Sequence, residues 1–246
     1  AAALMIGVAL ISAAAVFASS LRDTFGRILE RAITADYVVT DESFQGLPET
    51  VGQRIAALDE VEAMTPFRAF EAEVTGEGEQ IFAIDPATFP QLADLSVVDG
   101  GYDGLIEGDG LMLVQKEADK RGVGVGDTLD VTWQNGVEST LTISGLFTEE
   151  GLPGTWYVSL DTLQSVTDLP ARDFFVLAKL ADGADPDTAK LAIDGAVEEF
   201  PQAVVETNSE FQQSQEDQIN QILRLVTYLL LFAIITVFVA GLMVGR

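Results

Sequence analysis

The chain has 246 residues, 39 acidic against 13 basic, a formal net charge of −26, and neither cysteine nor histidine. Disulfides, thiolate chemistry and histidine-based acid–base or metal chemistry are thereby excluded, and the negative surplus opposes nucleic acid and anionic headgroups as partners. The charge is confined to the middle: all 39 acidic residues and ten Lys or Arg lie between Asp23 and Asp217, a net −29, whereas 1–21 and 225–245 carry none.

Residues 1–21 form an apolar run which, at about 1.5 Å per residue, crosses the roughly 30 Å hydrocarbon layer as a helix. Val16-Phe17-Ala18 would also suit a signal-peptidase site, but no basic segment precedes it and the run exceeds the usual length. A first transmembrane helix is therefore expected over 1–21. Because the chain starts without Met and stops at Arg246, it is expected to be part of a longer one. Segment 22–97 then carries a stalk and the first part of an α+β domain. Leu21, Phe25, Ile28, Leu29 and Ala32 continue one apolar stripe at helical spacing. Asp36 to Thr40 reads as a strand, and Pro48 opens a helix with Val51, Ile55 and Leu58 on one face. Val61 to Val74 reads as mostly strand, and Gln80 to Ile84 as another.

Segment 98–170 has a different texture and reads as a small β-rich subdomain inserted into the α+β one. Glycines at 100, 101, 104, 108 and 110 punctuate a solvated acidic loop, Asp99 to Asp109. Leu111 to Val114 is a strand and Lys116 to Arg121 a short helix. Leu129 to Trp133 and Glu138 to Phe147 alternate around Asn135-Gly136, which predicts a hairpin closed by a type I′ turn. Tyr157 to Leu160 adds a strand. Segment 171–207 returns to α+β: a strand at Phe174 to Leu180, a helix capped by Asp185-Pro186 with Ala189, Ile193, Val197 and Phe200 inward, and a strand at Ala203 to Glu206. Thr207 and Glu210 have capping-box spacing for a stalk helix over 208–224, which runs without Pro or Gly into a second transmembrane helix, 225–246. Gly241-Leu-Met-Val-Gly245 in that span has the GxxxG spacing that permits close helix approach.

Chemistry is conspicuous by its poverty. Gly122-Val-Gly124-Val-Gly126-Asp-Thr128 lacks the Lys and the spacing of a phosphate loop and reads as a turn. Asp99 to Asp109 fails the alternating ligand pattern of a calcium loop. Adjacent carboxylates such as Glu149 and Glu150 mean little among so many. No catalytic, cofactor-binding or metal-ligating residue is assigned, no cofactor is expected, and the chain is not read as an enzyme. Arg22, Arg27, Arg31 and Arg224 flank the spans on the domain side, so charge counting alone would put the domain in the cytoplasm. Large domains cross membranes regardless of charge, and the count does not decide the orientation.

Several stretches together resemble the MacB/FtsX-like permease subunits of bacterial ABC transporters. They are AAALMIGVALISAAAVFASSL from Ala1 leading to ADYVV from Ala35, LPETVGQRIAALDEVEAMTPFRAFEAEVTG from Leu47 and LMLVQKEADKRGVGVGDTLDVT from Leu111. ISGLF from Ile143, WYVSLDTL from Trp156, and the Gln-rich helix running into LVTYLLLFAIITVFVAGLMV from Leu225 complete the set. The resemblance implies an extracytoplasmic, porter-like α+β domain with an inserted β-rich part, carried on two long stalk and transmembrane helices in the cell membrane. It implies mechanotransmission, the coupling of ATP hydrolysis by a partner ABC-type ATPase to movement of that domain, for export or extraction of a lipid, lipoprotein, peptide or drug. Further partners implied are the remaining membrane helices of the same permease or a second copy, the lipid bilayer, and an extracytoplasmic protein. The family carries no catalytic residue to transfer. The rival reading is the ligand-binding ectodomain of a sensor kinase or receptor, which shares the helix–domain–helix layout.

Overall fold

The computed structural model describes residues 32–43, 45–148, 152–167 and 172–218, together with 220, 221, 224, 225, 228 and 229. Contacts divide the chain into two units, Arg31–Ser209 and a second comprising Ala1–Glu30 with Glu210–Arg246. Among the described residues no helix is long and apolar enough to cross a membrane. The expected span over 1–21, the stalk over 22–31 and nearly all of the span over 225–246 fall outside the described residues. Residues 208–218 are helical, starting directly after Thr207.

Within Arg31–Ser209 the strands are β1 (Tyr37–Asp41), β2 (Leu47–Pro48), β3 (Val61–Val74), β4 (Glu77–Ile84), β5 (Val97–Gly100) and β6 (Gly110–Val114), followed by β7 (Thr128–Trp133), β8 (Glu138–Phe147), β9 (Trp156–Ser159), β10 (Arg172–Asp173), β11 (Phe175–Leu180) and β12 (Ala203–Thr207). The helices are α1 (Glu49–Ala56), α2 (Phe89–Leu92), α3 (Asp103–Glu107), α4 (Gln115–Arg121), α5 (Leu160–Val166) and α6 (Pro186–Val197). A ten-stranded sheet runs β12-β1-β11-β3-β4-β9-β6-β8-β5, and β7 pairs with both β3 and β8. That second pairing closes β3, β4, β9, β6, β8 and β7 into a barrel. Alternate residues of a strand face the same side. Hence Val74, Ile81, Leu111, Leu113, Val131, Ile143, Trp156 and Val158 all point inward and are fully buried.

The other end of the sheet is an open wing, β12-β1-β11 and the first half of β3, covered by α1 and α6. Its core joins Tyr37, Val39 and Val176 of the strands to Val51 and Ile55 of α1 and Ala189 and Ile193 of α6. α1 forms where Val51 and Ile55 share a face, and α6 starts because the Asp185 carboxylate accepts the Thr188 N–H at 2.9 Å. This is the α+β architecture expected. β3 belongs to both halves: Val61–Phe67 pairs with β11 in the wing, and Arg68–Val74 pairs with β4 in the barrel. Phe67 sits at the joint, stacked on Phe175 at 4.5 Å and tilted on Phe82 at 4.9 Å. β3 and β4, which the sequence groups with 22–97, therefore furnish barrel wall alongside the strands of 98–170.

Two local expectations are corrected. Asp99 to Asp109 is not an open loop; it contains the end of β5 and all of α3. Gly104 and Gly110 serve close packing, since a Cβ on Gly110 would lie 2.3 Å from the Gly104 carbonyl carbon. The β7–β8 hairpin exists, but without a type I′ turn. Gly136 alone takes a positive φ, +80°, while Gly136 N–H donates to Trp133 O and Trp133 N–H to Val137 O, both at 2.8 Å. The extra residue makes this a turn followed by a glycine bulge. Gly122 ends α4 in a left-handed conformation, and Gly126, at φ +94°, bonds across to Ile143 O at 2.8 Å. Gly122–Thr128 is the helix-to-strand turn expected.

Candidate functional site

Three places on Arg31–Ser209 concentrate polar chemistry. The first is where the chain enters and leaves this unit. Asn208 donates its side-chain Nδ2 to Ile33 O at 2.8 Å and Ala35 O at 3.0 Å, and its backbone N–H to Asp36 O at 2.9 Å. Ile33 and Ala35 are buried residues, and these partly buried bonds satisfy carbonyls that have little access to water. The same entering segment is stitched to the residues around the end of α2: Thr34 and Ala35 N–H both donate to Leu92 O, and Asp94 N–H donates to Ala32 O. Tyr37 of β1 lies opposite Thr207 of β12. Entry and exit strands are thus adjacent, antiparallel and clamped at their ends.

The second place is the fork between wing and barrel. Arg68 Nε donates to Asp173 Oδ1 at 2.6 Å, and its terminal nitrogen lies 3.3 Å from a Glu49 carboxylate oxygen. Arg68 and Asp173 are buried, whereas Glu49 reaches solvent. Burial pushes the Asp173 carboxyl above its ordinary range, against the pull of Arg68. Asp173 Oδ2 has no hydrogen-bond partner among the described residues. Beside this pair opens a cleft of about 360 Å³, bordered by Arg68, Phe70, Gln80, Trp133, Gln164 and Arg172.

The third is a charged cluster that joins α4 to the start of β4. Arg121 bonds Glu117 at 2.7 Å, Glu77 at 2.7 Å and Glu79 at 3.0 Å, with its guanidinium 5.1 Å from the Trp156 ring. The oxygens of these three carboxylates lie within 4.8 Å of one another, close enough to hold a metal ion. Arg121 already bonds all three, and Lys120 adds a second positive charge at Glu117. Burial opposes ionisation of Glu117, yet bonds from Arg121 and Lys120 outweigh it and hold its carboxyl below the usual range. The group is a closed ion-pair network. It is also the one candidate metal cluster among the described residues.

The sequence reading assigned no site residues, and it missed all three of these groups. Glu149 and Glu150 lie outside the described residues. The pairs Arg68–Asp173 and Asn208–Ile33 are 105 and 175 positions apart, so spacing carried no trace of them. Only Glu117 and Arg121 at i, i+4 on α4 left a local signal.

A family model described as MacB-like periplasmic core domain matches residues 1–196. The chain belongs to this family. No curated protein matches it. Among solved structures, the periplasmic region of MacB from Actinobacillus actinomycetemcomitans aligns with a TM-score of 0.57 at 12% identity, covering 75% of this chain and 94% of that one. The extracellular domain of the noncanonic ABC-type transporter YknZ from Gram-positive bacteria aligns with a TM-score of 0.50 at 12% identity, covering 70% of this chain and 98% of that one. At such identities the likeness is one of fold. The MacB/FtsX-like resemblance read in the sequence is thereby established, and Arg31–Ser209 is a MacB-like periplasmic domain of the kind carried by ABC transporter permeases.

Proposed function

We propose that this chain is the extracytoplasmic domain, with flanking membrane helices, of an ABC transporter permease. It converts ATP hydrolysis by a partner ABC-type ATPase into movement of the domain. The family match over residues 1–196 carries this reading. The clamp at Asn208 supports it: a domain driven through its two connections must not let them separate, and Asn208 bonds one connection to the other. The chain itself acts without catalysis or cofactor. It resides in the cell membrane as a multi-pass protein, beside further permease helices or a second permease copy, with the acidic domain outside the cytoplasm.

Topology and coupling are tested separately. A cysteine replacing Val137, which is 42% exposed, should react with an impermeant thiol reagent in intact cells. Reaction only after lysis would put the domain in the cytoplasm and end the proposal. The full chain, isolated from native membranes with its neighbours, should bring down an ABC-type ATPase. Hydrogen exchange of β1 and β12 should then change on adding ATP. A chain that brings down a histidine kinase domain instead would establish the receptor reading.

A further inference from the structure

β3 is fourteen residues long, and its two edges are not equally used. One edge pairs with β4 over Arg68–Val74. On the other, β11 covers Val61–Phe67 and β7 covers Ala72–Val74. Arg68, Ala69, Phe70 and Glu71 are left with no strand partner on that edge among the described residues. The cause is β10, which does not continue along β3 ahead of β11. It turns away to pair with β2, with Asp173 held at the fork by Arg68. Along an antiparallel strand alternate residues direct both N–H and C=O to the same edge. Two of the four residues therefore direct their backbone donors and acceptors to that edge, where no described strand meets them.

The surroundings of this gap suit a peptide. Gln80, Gln134 and Gln164 border the cleft, and their side-chain amides make no hydrogen bond within the described residues. An amide offers both donor and acceptor, the pair a peptide group requires. Arg172, also on the border, has no carboxylate partner among the described residues; it donates to Gly46 O at 3.1 Å. A guanidinium with free donors pairs best with a carboxylate. The cleft volume of about 360 Å³ falls at the small end of ligand sites. A gap of four residues extends roughly 13 Å at strand rise, room for a similar length of extended chain.

We propose that this cleft binds an extended peptide segment of a partner protein, which adds as a short strand to residues 68–71 of β3 and sets one carboxylate on Arg172. Backbone pairing supplies affinity and the arginine fixes register, as in other cases of strand addition. The segment carries a single acidic residue. The charge of the domain repels an acidic run, and screening at about 0.1 M salt extends over only about 10 Å. The inference is independent of the transporter reading and goes beyond it.

The test uses the full chain in lipid nanodiscs and four acetylated, amidated tetrapeptides of alternating Val and Thr, with Asp at each position in turn. At least one should bind and slow hydrogen exchange of the 68–71 segment about tenfold or more. Replacing its Asp by Asn, or Arg172→Gln in the protein, should each weaken binding about tenfold. Methylating the peptide's backbone nitrogens should abolish it, and Arg54→Gln, outside the cleft, should change nothing. Absence of binding by all four peptides at millimolar concentration overturns the proposal. So does equal binding of the N-methylated peptide, which removes strand pairing, or indifference to Arg172→Gln. In any of these outcomes association with an ATPase stands unaffected, so the two readings fail separately.

Discussion

Asn208 Nδ2 donates to the carbonyl of Ile33 at 2.8 Å, joining positions 175 apart in the chain. With the second bond to Ala35 at 3.0 Å, one amide group satisfies two carbonyls of the opposite connection. Asn208→Ala strands both. Leaving a buried acceptor unsatisfied costs about 1–3 kcal/mol, so urea denaturation of the variant should show a loss in that range. Asn208→Asp should be at least as damaging, because an ionised carboxylate accepts hydrogen bonds and donates none. A variant as stable as the parent would show that these bonds do not hold the connections together.

Arg68 and Asp173 raise a different issue, since a buried ion pair contributes little net stability while intact. Removing Asp173 leaves the buried Arg68 guanidinium with only the half-exposed Glu49 carboxylate, 3.3 Å away. Asp173→Ala should therefore cost about 3 kcal/mol, the low end for a broken buried pair, and the double change Arg68→Met with Asp173→Leu should recover most of it. The pH dependence has a definite sign. Because burial raises the folded carboxyl pKa above the ordinary 3.8, the folded state holds this proton more tightly than the unfolded chain. That contribution to stability is lost as pH rises from 3.8 through the raised value. Denaturation of Asp173→Asn across acid pH should lack the decline; an unchanged profile would remove Asp173 as its source.

How much of this was legible in the sequence follows from the range of each interaction. Val61 to Val74 reads as mostly strand, and it is strand throughout. Asp185-Pro186 marks the start of α6 through a cap that needs only three residues. What the pattern concealed was closure. That β7 pairs with both β3 and β8 depends on contacts between distant segments, and alternation within a strand is the same in an open sheet as in a barrel. α3 was hidden for another reason: the glycines in and around it are usually signs of a loop, but Gly104 of α3 and Gly110 of β6 allow the two elements to touch. Asn135 misled in a similar way, for Asn-Gly accommodates both the tight turn and the bulged one.

Arg121 holds Glu77, Glu79 and Glu117 together, and its guanidinium also stacks on Trp156. Arg121→Ala removes the cation and leaves crowded carboxylates. The loss should be about 1–2 kcal/mol, since Glu77 is largely exposed and its share is screened. The oxygens left behind are within 4.8 Å of one another, a spacing that a hard divalent cation tolerates. Millimolar calcium should therefore raise the melting temperature of Arg121→Ala while leaving the parent protein unmoved. If calcium stabilises both equally, the arginine is not what occupies this position.

The helix that begins after Thr207 is the last element to be tested, because it is one of the two connections through which the proposed motion can reach the domain. Residues 208–218 are helical, and Gln213 lies within that stretch with an exposed side chain. An unbroken helix resists bending because every turn is tied to the next. Proline at 213 would delete one backbone hydrogen bond and clash with the carbonyl four residues earlier, at a cost of about 3 kcal/mol or more. Gln213→Ala retains the backbone bond and has higher helix propensity, so it serves as the control. In the assembled transporter Gln213→Pro should sharply reduce ATP-driven transport, with expression and the circular dichroism of the β-rich unit unchanged. Gln213→Ala should transport normally. Both variants transporting at the parental rate would mean that this helix does not carry the motion, and coupling would then have to reach the domain through its other connection.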